Sequence, residues 1–388
     1  MGVISAIGNS VAQNHHSLTE ASCGISTAMD LFPTKYAGQL HFGLVKKSTV
    51  DLIAALQAAD PGINRTTLLA LHAFDEAVKD SGLTTAEITS SDTALIGATT
   101  VGGMCLTDEL YNDANKIANG SQYLSSYDNA SVNIYLQKRY RINGIINTIN
   151  TACSSSANAI MFGANLLKNK LAKRVIVGGT DSLAKFTING FHALHILSPE
   201  ICRPFDENRN GLNLGEGAAF LVLEREEDVI DKKVYAALSG YYNANDAFHP
   251  SSLSATGDGP YLSMKGALQM AGLIPGDINF INAHGTGTEN NDEVESHAMI
   301  RLFDQPPAFA STKSFTGHTL GAAGAIEAVY SILNLIHQEI YPGLHFNQPI
   351  PSTRLIPEQQ YQKKSLRHIM SNSFGFGGNC SSLIFSKL

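Results

Sequence analysis

The sequence predicts an α/β protein of two similar halves with mainly parallel sheets. Three observations carry this reading. Apolar strand-like runs alternate with helical patterns along most of the chain, the same rhythm resumes after a charged break at 224–233, and no low-complexity or flexible linker intervenes. The 388 residues are 44% apolar and 16% charged, a globular composition that argues against disorder and coiled coil. At ~100 to 200 residues per domain, two or three domains fit. We divide the chain at residues 1–233 and 234–388.

In the first half, Asn64 can cap a helix running through Leu68, Leu71 and Phe74 to about Asp80, where Ser81-Gly82 stops it. A buried strand follows at Ala94 to Ala98, then a glycine turn through Gly102 and Gly103. Ile145 to Asn150 reads as a strand, and Ala157, Ile160, Met161, Ala164 and Leu167 form the stripe of a buried helix. Arg174 to Gly179 and Ala218 to Leu223 are further strands. In the second half, strands are expected at Val234 to Gly240, Ile278 to Ala283, Ile369 to Ser373 and Ser382 to Phe385. Helices are expected at Pro260 to Met270, Asp292 to Leu302 and Ala322 to Ile336.

Charge and composition exclude some functions. With 27 Lys+Arg against 34 Asp+Glu the net charge is −7, and no long basic run suggests nucleic acid. No stretch approaches ~20 consecutive apolar residues, and MGVISAIGNS lacks a charged n-region. A cytoplasmic protein without a membrane span is expected. Cys23, Cys105, Cys153, Cys202 and Cys380 are odd in number and form no CxxC pair, so neither a disulfide framework nor a structural zinc site is indicated.

Four segments could carry chemistry. In NTACSSSANAI, Cys153 sits between a strand and a helix, where unpaired N–H groups and the helix dipole favour a thiolate. A structural cysteine, with Ser154, Ser155 or Ser156 as caps, fits the same place. In NAHGTGTENNDEVES, His284 ends a strand, Gly285 and Gly287 permit close approach, and Thr286 and Thr288 add hydroxyls. Asp292 and Glu295 share one helix face; N-capping would account for Asp292. His284 has no HxxxH or HxH partner to suggest a metal. The third segment, STKSFTGHTLGAAGAIEAV, places Lys313 and His318 before a helix of small residues that implies close packing. The fourth, SNSFGFGGNC, surrounds Phe376 with Gly375, Gly377 and Gly378, and lacks the GKS/T ending of a phosphate loop.

Taken together and in this order, TACSSSA, NAHGTGT with D-x-x-E, K-x-x-x-x-H-x-x-G-A-A-G and NSFGFGG resemble the β-ketoacyl-acyl carrier protein synthases of the elongating type. The resemblance runs nearly the whole length, including RPFDENRNGLNLGEGAAFLVLE. It implies a thiolase-like, five-layered αβαβα fold of two similar halves and a homodimer. It implies an acyltransferase that extends a fatty-acid, polyene or polyketide chain by decarboxylative condensation with malonyl-acyl carrier protein. Cys153 matches the nucleophile, whose own N–H and that of Phe376 form the oxyanion hole, with Phe376 also as gate. His284 and His318 match the decarboxylation pair, and Lys313 the lysine that orients it, with Glu295 as its expected ionic partner and Asp292 as a further support. Thr286, Thr288, Leu212, Gly375 and Gly377 fall at substrate-binding positions. No metal or bound organic cofactor is implied, because phosphopantetheine arrives on the carrier protein.

Three departures qualify the match. The family's opening strand, an apolar run before MGVIS that we expect at the centre of the first sheet, is absent. The chain is therefore expected to begin upstream, or another segment to fill the slot. Leu212 stands where a Phe is usual, which suits a bulky or rigid primer, and Asn379 and Cys380 stand where Thr and Asn are usual. The competing reading is a chain-length-determining partner subunit that does no condensation; such subunits lack the nucleophile, so Cys153 with both histidines argues against it. Arg65 and the Lys138, Arg139 and Arg141 group are the candidates for docking an acidic carrier protein.

Overall fold

A computed structural model of the chain describes residues 1–27, 34–229 and 232–388. Residues 230 and 231, inside the charged segment used above as the divide, lie outside the described residues. The first sheet contains β1 (Gly2–Ser5), β2 (Thr93–Ala98), β3 (Ile146–Ile149), β4 (Arg174–Asp181) and β5 (Gly217–Glu224), in the order β1-β5-β4-β2-β3. The second contains β6 (Ala237–Asn245), β7 (Phe280–Asn282), β8 (Ala308–Ala310), β9 (His368–Phe374) and β10 (Asn379–Ser386), in the order β6-β10-β9-β7-β8. The two orders are the same topology, strand for strand.

The expectation of mainly parallel sheets is corrected: in each sheet two pairings are antiparallel and two parallel. The antiparallel step is visible where β9 and β10 are joined only by residues 375–378, too short for the crossover that a parallel pair needs. A strand-helix rhythm reports how many strands are wound with helices and is blind to such a direct return.

Helix α1 (Arg65–Ser81) follows the predicted cap: the Asn64 side chain accepts the Thr67 N–H, and Gly82 takes the left-handed conformation (φ 67°) that ends the helix. It covers the outer face of the first sheet through Leu68, Leu71, Phe74 and Ala77. Helices α2 (Ser155–Lys168) and α6 (Ala323–His337) pack between the sheets, α3 (Lys185–Ala193) carries Phe191, and α4 (Asp258–Ala271) with α5 (Glu289–Phe303) covers the second sheet. The result is the five-layered αβαβα, thiolase-like arrangement. One segment, Leu320–His337, is long and apolar enough to cross a bilayer, yet 89% of it is buried in the central layer. A helix packed on every side by protein needs the same all-round apolarity as a membrane span.

Two expectations shift. The strand placed at 234–240 is found at Ala237–Asn245, because its second part is polar: Asn243 and Asn245 lie on the edge and pair with Ser381 and Asn379. The central slot expected to lack a strand is also filled. Residues Gly2–Ser5 form the edge strand β1, antiparallel to β5 from Phe220 to Gly217, and the five strands run without a gap. The premise of an empty central slot is therefore wrong.

Candidate active site

Both halves bring their loops to one cavity of about 390 Å³, lined by Cys153, His284, His318, Leu212, Thr286 and Thr288, with Gly375 and Phe376 beside them. Gly377 is not among the lining residues. Its N–H donates to the Pro250 carbonyl and its φ of 79° turns the loop, so it is a turn residue rather than a substrate contact.

Cys153 stands just ahead of α2, after Ala152 in the left-handed region (φ 52°), and is 6% exposed. The expectation of a favoured thiolate is not met in this state. Burial pushes the thiol up to about 11, only partly opposed by the Phe376 N–H and the Lys313 ammonium. A helix terminus cannot replace the hydration lost by a buried sulfur here. The Phe376 and Cys153 N–H groups both lie near enough to the sulfur to favour its charged form. Gly375 makes this approach possible, since a Cβ there would lie 2.8 Å from the Thr151 carbonyl oxygen and 3.1 Å from the Cys153 nitrogen.

His284 follows β7 and His318 precedes α6; their rings meet edge to face with centroids 5.4 Å apart. Ligating atoms of Cys153, His284 and His318 lie within 4.8 Å of one another, a grouping invisible to the local search for HxxxH. The hydrogen bonds identify the tautomers. An ammonium has no lone pair, so at 3.2 Å Lys313 Nζ donates to His284 Nδ1; the Leu320 N–H likewise donates to His318 Nδ1 at 3.2 Å. Each neutral ring then carries its proton on Nε2. Burial, then the Lys313 charge, holds both rings well below the usual histidine range, so they are neutral at pH 7. His318 Nε2 is buried and has no hydrogen-bond partner among the described residues.

Lys313 does not pair with Glu295. Its Nζ donates to the Glu327 carboxylate and to the His284 carbonyl at 2.6 Å. Glu295 accepts instead from the His284 and Gly285 N–H groups, each at 2.9 Å, and from Asn372. Asp292 accepts from Thr286 at 2.9 Å, from Gly287 and from Phe205. Four consecutive loop N–H groups, 284 to 287, are thus held by two carboxylates one helical turn apart on α5. Asp292 is no N-cap: the helix starts at Glu289, three residues earlier. Burial raises Glu295 to about 7 against the pull of the Gly285 and His284 N–H groups.

Sequence reading missed Glu327, Asp181 and Phe191. Glu327 had a signal: it is the one acid between residues 305 and 338, in the midst of an apolar helix, where a carboxylate must find a cation. Asp181 carries no pattern of its own, yet it ties the halves by accepting from Thr99, Thr100, Val101 and, across the junction, Gly321. Phe191 stacks on Phe376 at 5.7 Å. Arg65 is corrected as a docking candidate: it is 8% exposed and its guanidinium is spent on Glu216 and the Val45 and Lys47 carbonyls. Arg139 donates to the Leu56 and Gln57 carbonyls, and none of Lys138, Arg139 and Arg141 lines the cavity.

Residues 1–229 match the family model described as β-ketoacyl synthase, N-terminal domain, and residues 235–347 match β-ketoacyl synthase, C-terminal domain. The chain is 31% identical to a 3-oxoacyl-[acyl-carrier-protein] synthase 2 of Staphylococcus aureus, over 100% of this chain and 97% of that protein. Among solved structures it resembles the ishigamide ketosynthase/chain length factor, with a TM-score of 0.93 and 27% identity over 100% of this chain and 97% of that one. It also resembles a ketosynthase in complex with its chain length factor from Xenorhabdus doucetiae, with a TM-score of 0.83 and 30% identity over 100% and 96%.

Proposed function

The chain belongs to the β-ketoacyl synthase family, and on that footing we propose a specific division of labour for its condensation of an acyl chain with a malonyl thioester. It is an acyltransferase of the condensing class. Cys153 Sγ attacks the acyl thioester of a carrier protein; the acyl group moves from sulfur to sulfur and the Cys153 proton leaves with the carrier thiol. The Cys153 and Phe376 N–H groups hold the transient oxyanion. Malonyl-carrier protein then loses carbon dioxide, and the electron pair of the broken C–C bond passes to the thioester oxygen as an enolate. His284 and His318 stabilise that oxygen with their Nε2–H donors. The enolate carbon attacks acyl-Cys153, the thiolate departs and recovers a proton, and the chain is two carbons longer.

The observation that carries this reading is the pair of neutral histidines, each with its proton on Nε2, that bring a ring nitrogen within 4.8 Å of each other and of the Cys153 sulfur. Two such donors suit an enolate oxygen. They also suit chemistry without a metal ion, because a proton on Nε2 leaves no lone pair there to ligate one. Thr286, Thr288 and Gly375 line the path for the pantetheine arm. Leu212 in place of a larger ring leaves room for a bulky or rigid primer, which favours polyene or polyketide elongation. A cytoplasmic homodimer is part of the proposal. Strand β3 ends the first sheet with an edge that has no strand partner among the described residues, next to exposed Ile145, and such an edge is normally covered.

Intact-mass measurement after incubation with acyl-carrier protein tests the nucleophile: the wild type gains the acyl mass and Cys153→Ala does not. Carbon dioxide release from malonyl-carrier protein should fall in both His284→Ala and His318→Ala. Acylation of Cys153→Ala, or unchanged release in both histidine variants, overturns the assignment. A protein that gains no acyl mass with any carrier protein supports the non-condensing partner instead.

A further inference from the structure

Asn379, which stands where the family usually has Thr, has not been given a role. Its Oδ1 is the meeting point of three donors: Ser154 Oγ at 2.7 Å, Asn158 Nδ2 at 2.8 Å and Asn243 Nδ2 at 2.7 Å. Ser154 is fully buried and is the residue after Cys153; Asn158 lies one turn into α2. Asn379 also closes the loop that carries Phe376, its carbonyl accepting the Gly375 N–H at 2.8 Å. One residue therefore grips the start of the Cys153 helix with its side chain and the Phe376 loop with its backbone. These two segments come from different halves, and each carries one of the two N–H groups assigned above to the oxyanion.

We propose that Asn379 is a positioning residue that sets the spacing between the Cys153 and Phe376 N–H donors, through the Ser154–Asn379–Asn158 contact across the junction of the halves. The inference rests on the nucleophile reading above. Two of the donors to Asn379 extend the network: Asn158 also donates to Thr151 Oγ1, and Asn243 to Ser381 Oγ. Two donors held on separate segments stabilise an oxyanion only if their separation is fixed, and a misplacement of about 1 Å costs on the order of 100-fold.

The test uses the two half-reactions, because the oxyanion donors serve acylation whereas the histidine pair serves decarboxylation. Single-turnover acylation by a hexanoyl thioester of N-acetylcysteamine and carbon dioxide release from malonyl-carrier protein are measured in Asn379→Leu, Asn379→Ser and Asn379→Asp, with melting curves for each. We expect roughly 10- to 100-fold slower acylation in Asn379→Leu and Asn379→Ser, with decarboxylation within about twofold. Asn379→Asp, which keeps an accepting oxygen, should recover acylation by about tenfold over Asn379→Leu. Wild-type acylation in either the Leu or the Ser variant overturns the inference, as does a parallel fall of both half-reactions in a folded variant. A wild-type protein that is not acylated at Cys153 instead removes the nucleophile reading on which the inference stands.

Discussion

Replacing Glu327 by Gln removes the one carboxylate that touches the Lys313 ammonium among the described residues. Both side chains are nearly sealed from water, at 2% and 3% exposure. Removing one member of a buried pair leaves an uncompensated charge, at a cost of about 3 to 5 kcal/mol. For a chain of this size that corresponds to a fall in Tm of roughly 4 to 6 °C. Lys313 can relieve the cost by shedding its proton, and a neutral amine is able to accept. His284 Nδ1 is then free to hold the proton, and Nε2 loses it. One of two enolate donors disappears, so carbon dioxide release from malonyl-carrier protein should fall by on the order of 100-fold. Lys313→Met/Glu327→Leu removes both charges and should regain most of the lost Tm without regaining decarboxylation. The reasoning is refuted if Glu327→Gln melts and decarboxylates like the wild type, or if the double variant restores decarboxylation as well as stability.

Burial holds the Cys153 thiol up at about 11, so alkylation by iodoacetamide should keep rising from pH 7 to pH 10; a plateau below pH 8 would contradict it. Both histidines are held well below 6.5 by burial, so their own protonation should lower malonyl decarboxylation only in more acid solution, whereas Glu295 and Glu327, each raised to about 7 by burial, lose their charge in between. A loss centred near pH 6.5 that persists in both Glu295→Gln and Glu327→Gln would show an ordinary, hydrated histidine. Leu212→Phe should narrow the cavity and slow acylation by branched or rigid primers at least ~10-fold while sparing a short linear one, since a buried steric mismatch costs about 1 to 3 kcal/mol. Equal rates with both primers would remove Leu212 from specificity.

Strands and helices were legible wherever one apolar pattern decided the element. Asn64 and Gly82 bound α1 as expected, and Ala157 to Leu167 trace the buried face of α2. What could not be read was direction and partnership. Nothing in Gly217–Glu224 says that this strand turns back on its neighbour, and nothing in the spacing of Lys313 says whether Glu295 or Glu327 will meet it. Glu295 is the acid in the recognisable motif, but its two oxygens are consumed by loop N–H groups; Glu327 is the acid with no other duty. Partner choice among buried charges depends on which competing donors are already satisfied, and that is known only once the loop is folded.

The same limit explains the thiol. A helix N-terminus lowers a cysteine pKa when water still reaches the sulfur, but Cys153 is closed in by Phe376 and Gly375 from the other half, and desolvation outweighs the helix end. The sequence places Cys153 at its helix, while the burial comes from a loop more than two hundred residues away. Nucleophile, donors and their spacing are thus properties of the junction between the two sheets. A substitution that loosens the junction without touching the cavity should therefore disturb the chemistry before it unfolds either half.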